Sequence, residues 1–273
     1  MIMEWWQAVL LGLVQGLTEF LPVSSSGHLM IVRELIGVDG EGFLDFTVTV
    51  HFATVIATLV VFWKAVWDLV KGFFKFKYND ETDYIFKILV SLIPVAVIGF
   101  FFKDSVESLF GEGLLPVGIG LCITAALLLW SDFAGKKTKA PAKEVRNGIT
   151  YWQALLVGLG QAVAVAPGIS RSGTTIATGL VSGVKREVMA QFSFLMVLIP
   201  ILGEQFLDIL KAFLEGGGFG GAIGFMPLLL GFVSAFASGL FACKAMVALV
   251  RRARLSWFAL YCFIVAILIF IFA

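Results

Sequence analysis

Apolar residues in this chain come in runs long enough to cross a lipid bilayer, and two further runs are interrupted near their middle. A spanning helix needs about 20 mostly apolar residues, because a rise of about 1.5 Å per residue must cover about 30 Å of hydrocarbon. Six stretches meet that length: 43–63, 84–102, 114–130, 188–210, 225–242 and 255–273. Hydrophobic residues make up 59% of the chain and charged ones 14%, against about 45–50% and 25% in soluble domains. That balance excludes a water-soluble enzyme, a disordered chain and a nucleic-acid binder. A net charge of +1 gives no reason to expect a nucleic-acid or other polyanionic partner. Backbone polar groups in lipid must be satisfied within the segment, so the expected fold class is an all-α polytopic membrane protein. Cys122, Cys243 and Cys262 lie inside apolar runs at no metal-ligand spacing and are read as packing residues. Met1–Trp6 lacks the basic stretch and small-residue cleavage site of a signal peptide.

The interrupted runs are 5–20, followed by Leu21-Pro22-Val23-Ser24-Ser25-Ser26-Gly27 and a short run to 36, and 152–165, followed by Ala166-Pro167-Gly168-Ile169-Ser170-Arg171-Ser172-Gly173 and a short run to 182. Each break separates two helical pieces, the second too short to cross. Irregular backbone at membrane depth persists only where protein buries it or water reaches it, so these segments read as re-entrant hairpins over about 5–37 and 150–183. Lys and Arg concentrate in cytoplasmic loops. With two hairpins and the N-terminus outside, sixteen basic residues fall inside and three outside, with Arg171 in a break. With both segments as full spans the best split is eleven to nine. The expected architecture is therefore six transmembrane helices plus two re-entrant hairpins, with both termini outside.

The two broken segments also match each other at an offset of 146. Trp6, Gln7, Ala8, Leu10, Gly12, Leu13, Gln15, Ser24, Ser26 and Gly27 recur as Trp152, Gln153, Ala154, Leu156, Gly158, Leu159, Gln161, Ser170, Ser172 and Gly173. Three spans separate the copies, so the second is inverted, and such repeats place their site between the halves near the midplane. The chain divides into repeat 1 (1–131), a basic cytoplasmic linker (132–149) and repeat 2 (150–273), all one membrane domain. The copies differ in their polar groups: Glu19 faces Val165, Ser25 faces Arg171, and His28 faces Thr174.

Each break ends in Ser-x-Ser-Gly at a helix start, where unpaired N–H groups and the helix dipole favour an anion. Those serines could instead only cap helices, which leaves Arg171 and the recurrence unexplained. An arginine at membrane depth marks a functional site by default, and its fork of donors matches phosphate oxygens; snorkelling is the alternative. Glu19 lies four residues after Gln15 on one helical face. It is placed to bind a divalent ion, to orient an imidazole, or to form a structural pair with Arg171. His28 follows Ser25 by three residues, close enough for a hydroxyl–base pair. Beside an arginine and an acid, that pair reads as attack on phosphorus. Thr47, His51, Thr54 and Thr58 recur at helical spacing as a polar stripe expected to line a cavity. Glu204 and Asp208 are ionisable groups in the fourth span.

The segments Gly16–His28 and Pro167–Thr175 resemble the two signatures of the undecaprenyl-diphosphate phosphatase family linked to bacitracin resistance. The resemblance implies hydrolysis of undecaprenyl diphosphate to the monophosphate and inorganic phosphate, recycling the lipid carrier for cell-wall synthesis. It implies a bacterial plasma-membrane location, an active site opening outward and a divalent cation, Mg²⁺ or Ca²⁺. Carried over, Ser25 is the nucleophile or a phosphate ligand, His28 its base or an alternative nucleophile, and Glu19 a metal ligand or the group orienting His28. Arg171 clamps the diphosphate, with Ser24, Ser26, Gly27, Gly168, Ser170, Ser172, Gly173 and Thr175 around it. Gln15 stands where many members carry a glutamate, and a neutral amide is a weaker ligand for a hard cation. Metal ligation by Glu19 and Gln15 therefore leans on Glu19 and the substrate's own oxygens. The rival reading is an inverted-repeat transporter or flippase for a phosphorylated polyprenyl lipid; the assembly, a homodimer included, stays open.

Overall fold

The computed structural model describes residues 3–38, 42–110, 113–134, 145–214, 223–252 and 254–272, and every regular element among them is helical. Most of the expected basic linker, the Gly-rich 216–222 stretch and the side chains of Glu204 and Asp208 lie outside the described residues.

Helix α1 (Trp5–Phe20) ends at Leu21, which Pro22 forces into extended backbone, and α2 (Ser25–Leu35) follows with 11 residues. At α1's start Gln7 reaches back to accept the Glu4 N–H at 2.8 Å, while its amide donates to the Ile36 carbonyl at 3.1 Å. Helices α8 (Tyr151–Val163) and α9 (Arg171–Val181) repeat this arrangement. Gln153 accepts the Thr150 N–H at 2.9 Å and donates to the Ser182 carbonyl at 2.9 Å. One glutamine thus clasps the first residues of each pair to its last. Both pairs fold back, beginning and ending at the same level.

The other helices are α3 (Phe43–Val61), α4 (Trp63–Phe73), α5 (Asp80–Phe101), α6 (Lys103–Phe110), α7 (Leu115–Ala134), α10 (Arg186–Leu214), α11 (Phe225–Arg252) and α12 (Ser256–Phe272). Among the described residues, α5, α7, the first part of α10 and α11 are each long and apolar enough to cross a bilayer. Helix α12 is equally apolar but has 17 residues. The span expected over 43–63 ends earlier, because the chain turns by 78° between α3 and α4. Helix α4 exposes Trp63, Trp67, Val70 and Phe73, and Lys71 lies 5.1 Å over the Trp67 ring. That is the pattern of a helix lying in the membrane interface, a feature hidden in sequence because the apolar run continues through the turn.

Packing crosses between the two halves of the chain. Helix α1 lies on α11, α8 on α5, and α7 on α12. Small residues allow the approach: a Cβ on Gly12 would sit 2.4 Å from the Gly231 carbonyl, and one on Gly158 would sit 2.2 Å from the Ser91 carbonyl. Gly12 and Gly158 are equivalent in the repeat, as are Trp6 and Trp152 and Leu13 and Leu159, all four of which remain exposed. Lys87, near the start of α5, is buried. Its ammonium meets Asp83 at 2.5 Å and the Arg146 carbonyl at 2.8 Å, and Asp83 also accepts from Tyr78, Tyr151 and Asn147.

Candidate active site

Both loops turn by specific backbone means. Ser24 adopts φ +70°, rare for a residue with a side chain, and its hydroxyl accepts the Gly27 N–H at 3.3 Å, capping α2. Gly168 adopts φ +79°, and a Cβ there would lie 2.2 Å from the Val117 carbonyl oxygen. Ser170 caps α9 by accepting the Gly173 N–H at 3.1 Å. Thr124 of α7 fixes that loop, accepting from the Ser170 N–H at 2.9 Å and donating to the Gly168 carbonyl at 3.3 Å. The loops then touch each other. Ser172 donates to the Leu21 carbonyl at 3.1 Å, and a Cβ on Gly173 would meet Pro22 at 3.2 Å.

Between them lies a cavity of about 70 Å³, into which Glu19, Ser24–Ser26 and Ser170–Ser172 face. The first residues of α2 and α9 thus open on one small space, where the leading N–H groups lack helical partners. His51, Thr54 and Thr58 of α3 and Ser193 of α10 complete the polar wall. Phe20 and Phe194, packed edge to face at 5.9 Å, close the apolar side.

Glu19 is the centre of the cavity's hydrogen bonding. Its Oε2 accepts from the Ser25 hydroxyl at 2.6 Å and from the Gln15 amide at 2.9 Å. Its Oε1 lies 3.4 Å from Nη2 of Arg171, 152 residues away in sequence. The His51 Nε2 stands 3.7 Å from Glu19 Oε2. Glu19 thus takes two donors on one oxygen and faces a guanidinium with the other, all beside the Ser25 hydroxyl.

His28 does not pair with Ser25. Its Nδ1 faces the Ser24 carbonyl at 2.8 Å and its Nε2 the Tyr261 hydroxyl at 2.7 Å, with the two rings stacked. A carbonyl only accepts, so Nδ1 carries the hydrogen and Nε2 takes the tyrosine's. With both nitrogens engaged, the ring lies outside the cavity lining and Ser25 turns to Glu19. Gly27, Gly168 and Gly173 also serve packing and do not line the cavity. Thr175 reaches it only indirectly, its hydroxyl meeting the Arg171 carbonyl at 2.9 Å and Ser193 at 2.6 Å.

The profile described as bacitracin resistance protein BacA matches residues 8–268. The chain belongs to that family. Both loops and every BacA-family cavity residue named above fall inside the matched stretch. Among curated relatives, the undecaprenyl-diphosphatase of Bacteroides fragilis is 51% identical over 265 residues, covering 97% of each chain. That of Parabacteroides distasonis is 51% identical over 260 residues, 95% of each, and that of Christiangramia forsetii 45% over 273, 99% of each. Within this BacA-family cavity, Ser193, Phe20 and Phe194 had escaped sequence reasoning. A serine or phenylalanine within an apolar run carries no periodic signal, whereas the α3 stripe announced His51, Thr54 and Thr58.

Proposed function

We infer that the chain hydrolyses undecaprenyl diphosphate, the reaction for which its relatives are named, yielding undecaprenyl phosphate and inorganic phosphate and so recycling the lipid carrier. The observation that carries this reading is the Ser25–Glu19 hydrogen bond at 2.6 Å beside Arg171. A transporter needs an anion site but no activated hydroxyl. In the mechanism we propose, Arg171 and the N–H groups at the starts of α2 and α9 bind the phosphoryl oxygens. Ser25 Oγ attacks the terminal phosphorus while its proton passes to Glu19. The anhydride P–O bond breaks, its electrons leaving on the lipid monophosphate. Water then cleaves phospho-Ser25, releasing inorganic phosphate and restoring the hydroxyl, with Glu19 as the group that exchanges the proton. His28 positions Ser24 and the start of α2.

The residues fit a divalent cation. Gln15 Oε1 is buried without a hydrogen-bond partner, as is Gln161 Oε1 at the equivalent place in the repeat, but only Gln15 has a carboxylate against its amide, Glu19, so exchange of that amide's oxygen and nitrogen would put two oxygens side by side. Such an ion would neutralise charge on the transferred phosphoryl group. Glu19 and Gln15 would hold it with the substrate's oxygens.

The architecture we propose keeps six crossings, α3, α5, α7, α10, α11 and α12, and inserts α1–α2 and α8–α9 from opposite faces as inverted repeats. The glutamine clasps, the exchange of packing partners between halves and the distribution of basic residues support it. The termini and the cavity mouth then face outward from a bacterial plasma membrane. Phosphate release from undecaprenyl diphosphate in detergent, with no gradient present, tests the activity. Ser25→Ala and Glu19→Gln should each lower kcat by about 10²–10³-fold, and acid quench of the active protein should trap phosphate on Ser25. Undiminished release by Ser25→Ala removes the nucleophile assignment.

A further inference from the structure

His51 faces Glu19 across a gap that no hydrogen bond fills. Its Nδ1 meets the Thr47 carbonyl at 2.9 Å. Because that carbonyl only accepts, Nδ1 carries the hydrogen, which leaves Nε2 as the nitrogen that can offer a lone pair to a cation. Nε2 stands 3.7 Å from Glu19 Oε2, too far for a hydrogen bond yet within the span of one ion holding both atoms at bonds of about 2.1 Å. On the other side of the same carboxylate oxygen lies Gln15, whose amide donates while its buried Oε1 has no partner. Rotation of that amide by about 180° exchanges its oxygen and nitrogen. The orphaned oxygen would then face Glu19, where one cation could hold both oxygens. Thr47 acts as the group that fixes the imidazole's tautomer, as partners of metal-bound histidines do.

We propose that His51 Nε2 is a cation ligand in this chain, joining Glu19 and Gln15 in a mixed nitrogen and oxygen set completed by the diphosphate. The inference rests on the reading of the cavity as a cation-assisted phosphatase site and goes beyond it by naming the ligand and the class of ion. Among the described residues no group of three or more His, Cys, Asp or Glu side chains is gathered, so substrate oxygens must complete the shell. Exchanging a second carboxylate for an imidazole and an amide removes hard anionic oxygen and adds a borderline nitrogen. The set should favour first-row transition dications over Ca²⁺.

The probe is Mn²⁺ added to the tag-free, full-length protein in detergent, read by pulsed electron paramagnetic resonance. The chain has two histidines, so assignment is short. Wild type should show modulation from an imidazole ¹⁴N, converted to the ¹⁵N pattern when histidine is ¹⁵N-labelled. His51→Gln should lose it and bind Mn²⁺ at least about tenfold more weakly, while His28→Gln keeps it. Wild type should bind Mn²⁺ at least about tenfold more tightly than Ca²⁺. The labelled wild-type spectrum needs no variant, so a poorly folding His51→Gln does not blunt the test. Mn²⁺ bound without imidazole coupling, or coupling that survives His51→Gln, overturns the ligand assignment and leaves the phosphatase reading standing. Absence of bound Mn²⁺ overturns both this inference and the cation, and phosphate release in the presence of EDTA then judges the activity separately.

Discussion

Arg171 and Glu19 meet at 3.4 Å, and the consequence for a substitution depends on shape as well as charge. Arg171→Lys keeps the positive charge but loses the planar fork that can hold two phosphoryl oxygens at once. The expected outcome is a fall in kcat of about ten- to a hundredfold, about 1.4–2.7 kcal/mol of lost transition-state stabilisation, with the fold retained; single-turnover phosphate release measures it. Tyr261→Phe tests the opposite case. It removes the hydroxyl that His28 Nε2 accepts at 2.7 Å, and stability should drop by about 1 kcal/mol. Phosphate release should change by no more than about threefold, since neither ring lines the cavity. A kcat loss as large as that of Ser25→Ala would return His28 to the chemistry. Sequence separated these residues imperfectly for a physical reason. Ser25 and Arg171 stood out because a duplicated loop carries unlike groups at the same place. His28 was drawn to Ser25 by a spacing of three, but its partner comes from Tyr261, 233 residues away, and no local pattern reports such a contact.

Elements are held by close approach where the duplicated glycines lie. A Cβ on Gly158 would come within 2.2 Å of the Ser91 carbonyl, backbone that cannot swing aside, whereas one on Gly99 of α5 meets nothing within 4 Å. Gly158→Ala should therefore cost about 1–3 kcal/mol, seen as a lower Tm in detergent. Gly99→Ala should be neutral or raise stability by up to about 1 kcal/mol. Equal effects from the two would remove the packing explanation of the repeat. Lys87 and Asp83 make a second element-scale case, since each side chain is 3% exposed and their ion pair is backed by three further donors to the aspartate. Lys87→Met strands that carboxylate and should cost about 3–5 kcal/mol, measured by the same melt. The breaks between α1 and α2 and between α8 and α9 were legible because Pro, Gly and Ser interrupt otherwise apolar runs. The sequence concealed the 78° turn into α4, where Val61-Phe62-Trp63 keeps the run apolar straight through the bend.

At the scale of the molecule, the proposal requires two folded-back pairs inserted from opposite faces, and the clasps make it specific. Gln7 ties the start of α1 to the end of α2, and Gln153 ties the start of α8 to the end of α9. If each pair is re-entrant, both ends of the first belong on the outside and both ends of the second on the inside. Trp5, Leu35, Trp152 and Lys185 are exposed at those ends, and Cys243 and Cys262 are buried with Cys122 half-buried, so background labelling should be low. Single cysteines at the four positions, treated with a membrane-impermeant maleimide on intact spheroplasts, should label at Trp5→Cys and Leu35→Cys. Trp152→Cys and Lys185→Cys should label only in lysed cells. A crossing α1 would put Trp5 and Leu35 on opposite sides, and labelling of one without the other would remove the hairpin. Parallel insertion would label all four from one face and would remove the inverted arrangement. Inversion is the arrangement by which we propose that a duplicated element brings an acid and hydroxyl from one copy against a guanidinium from the other.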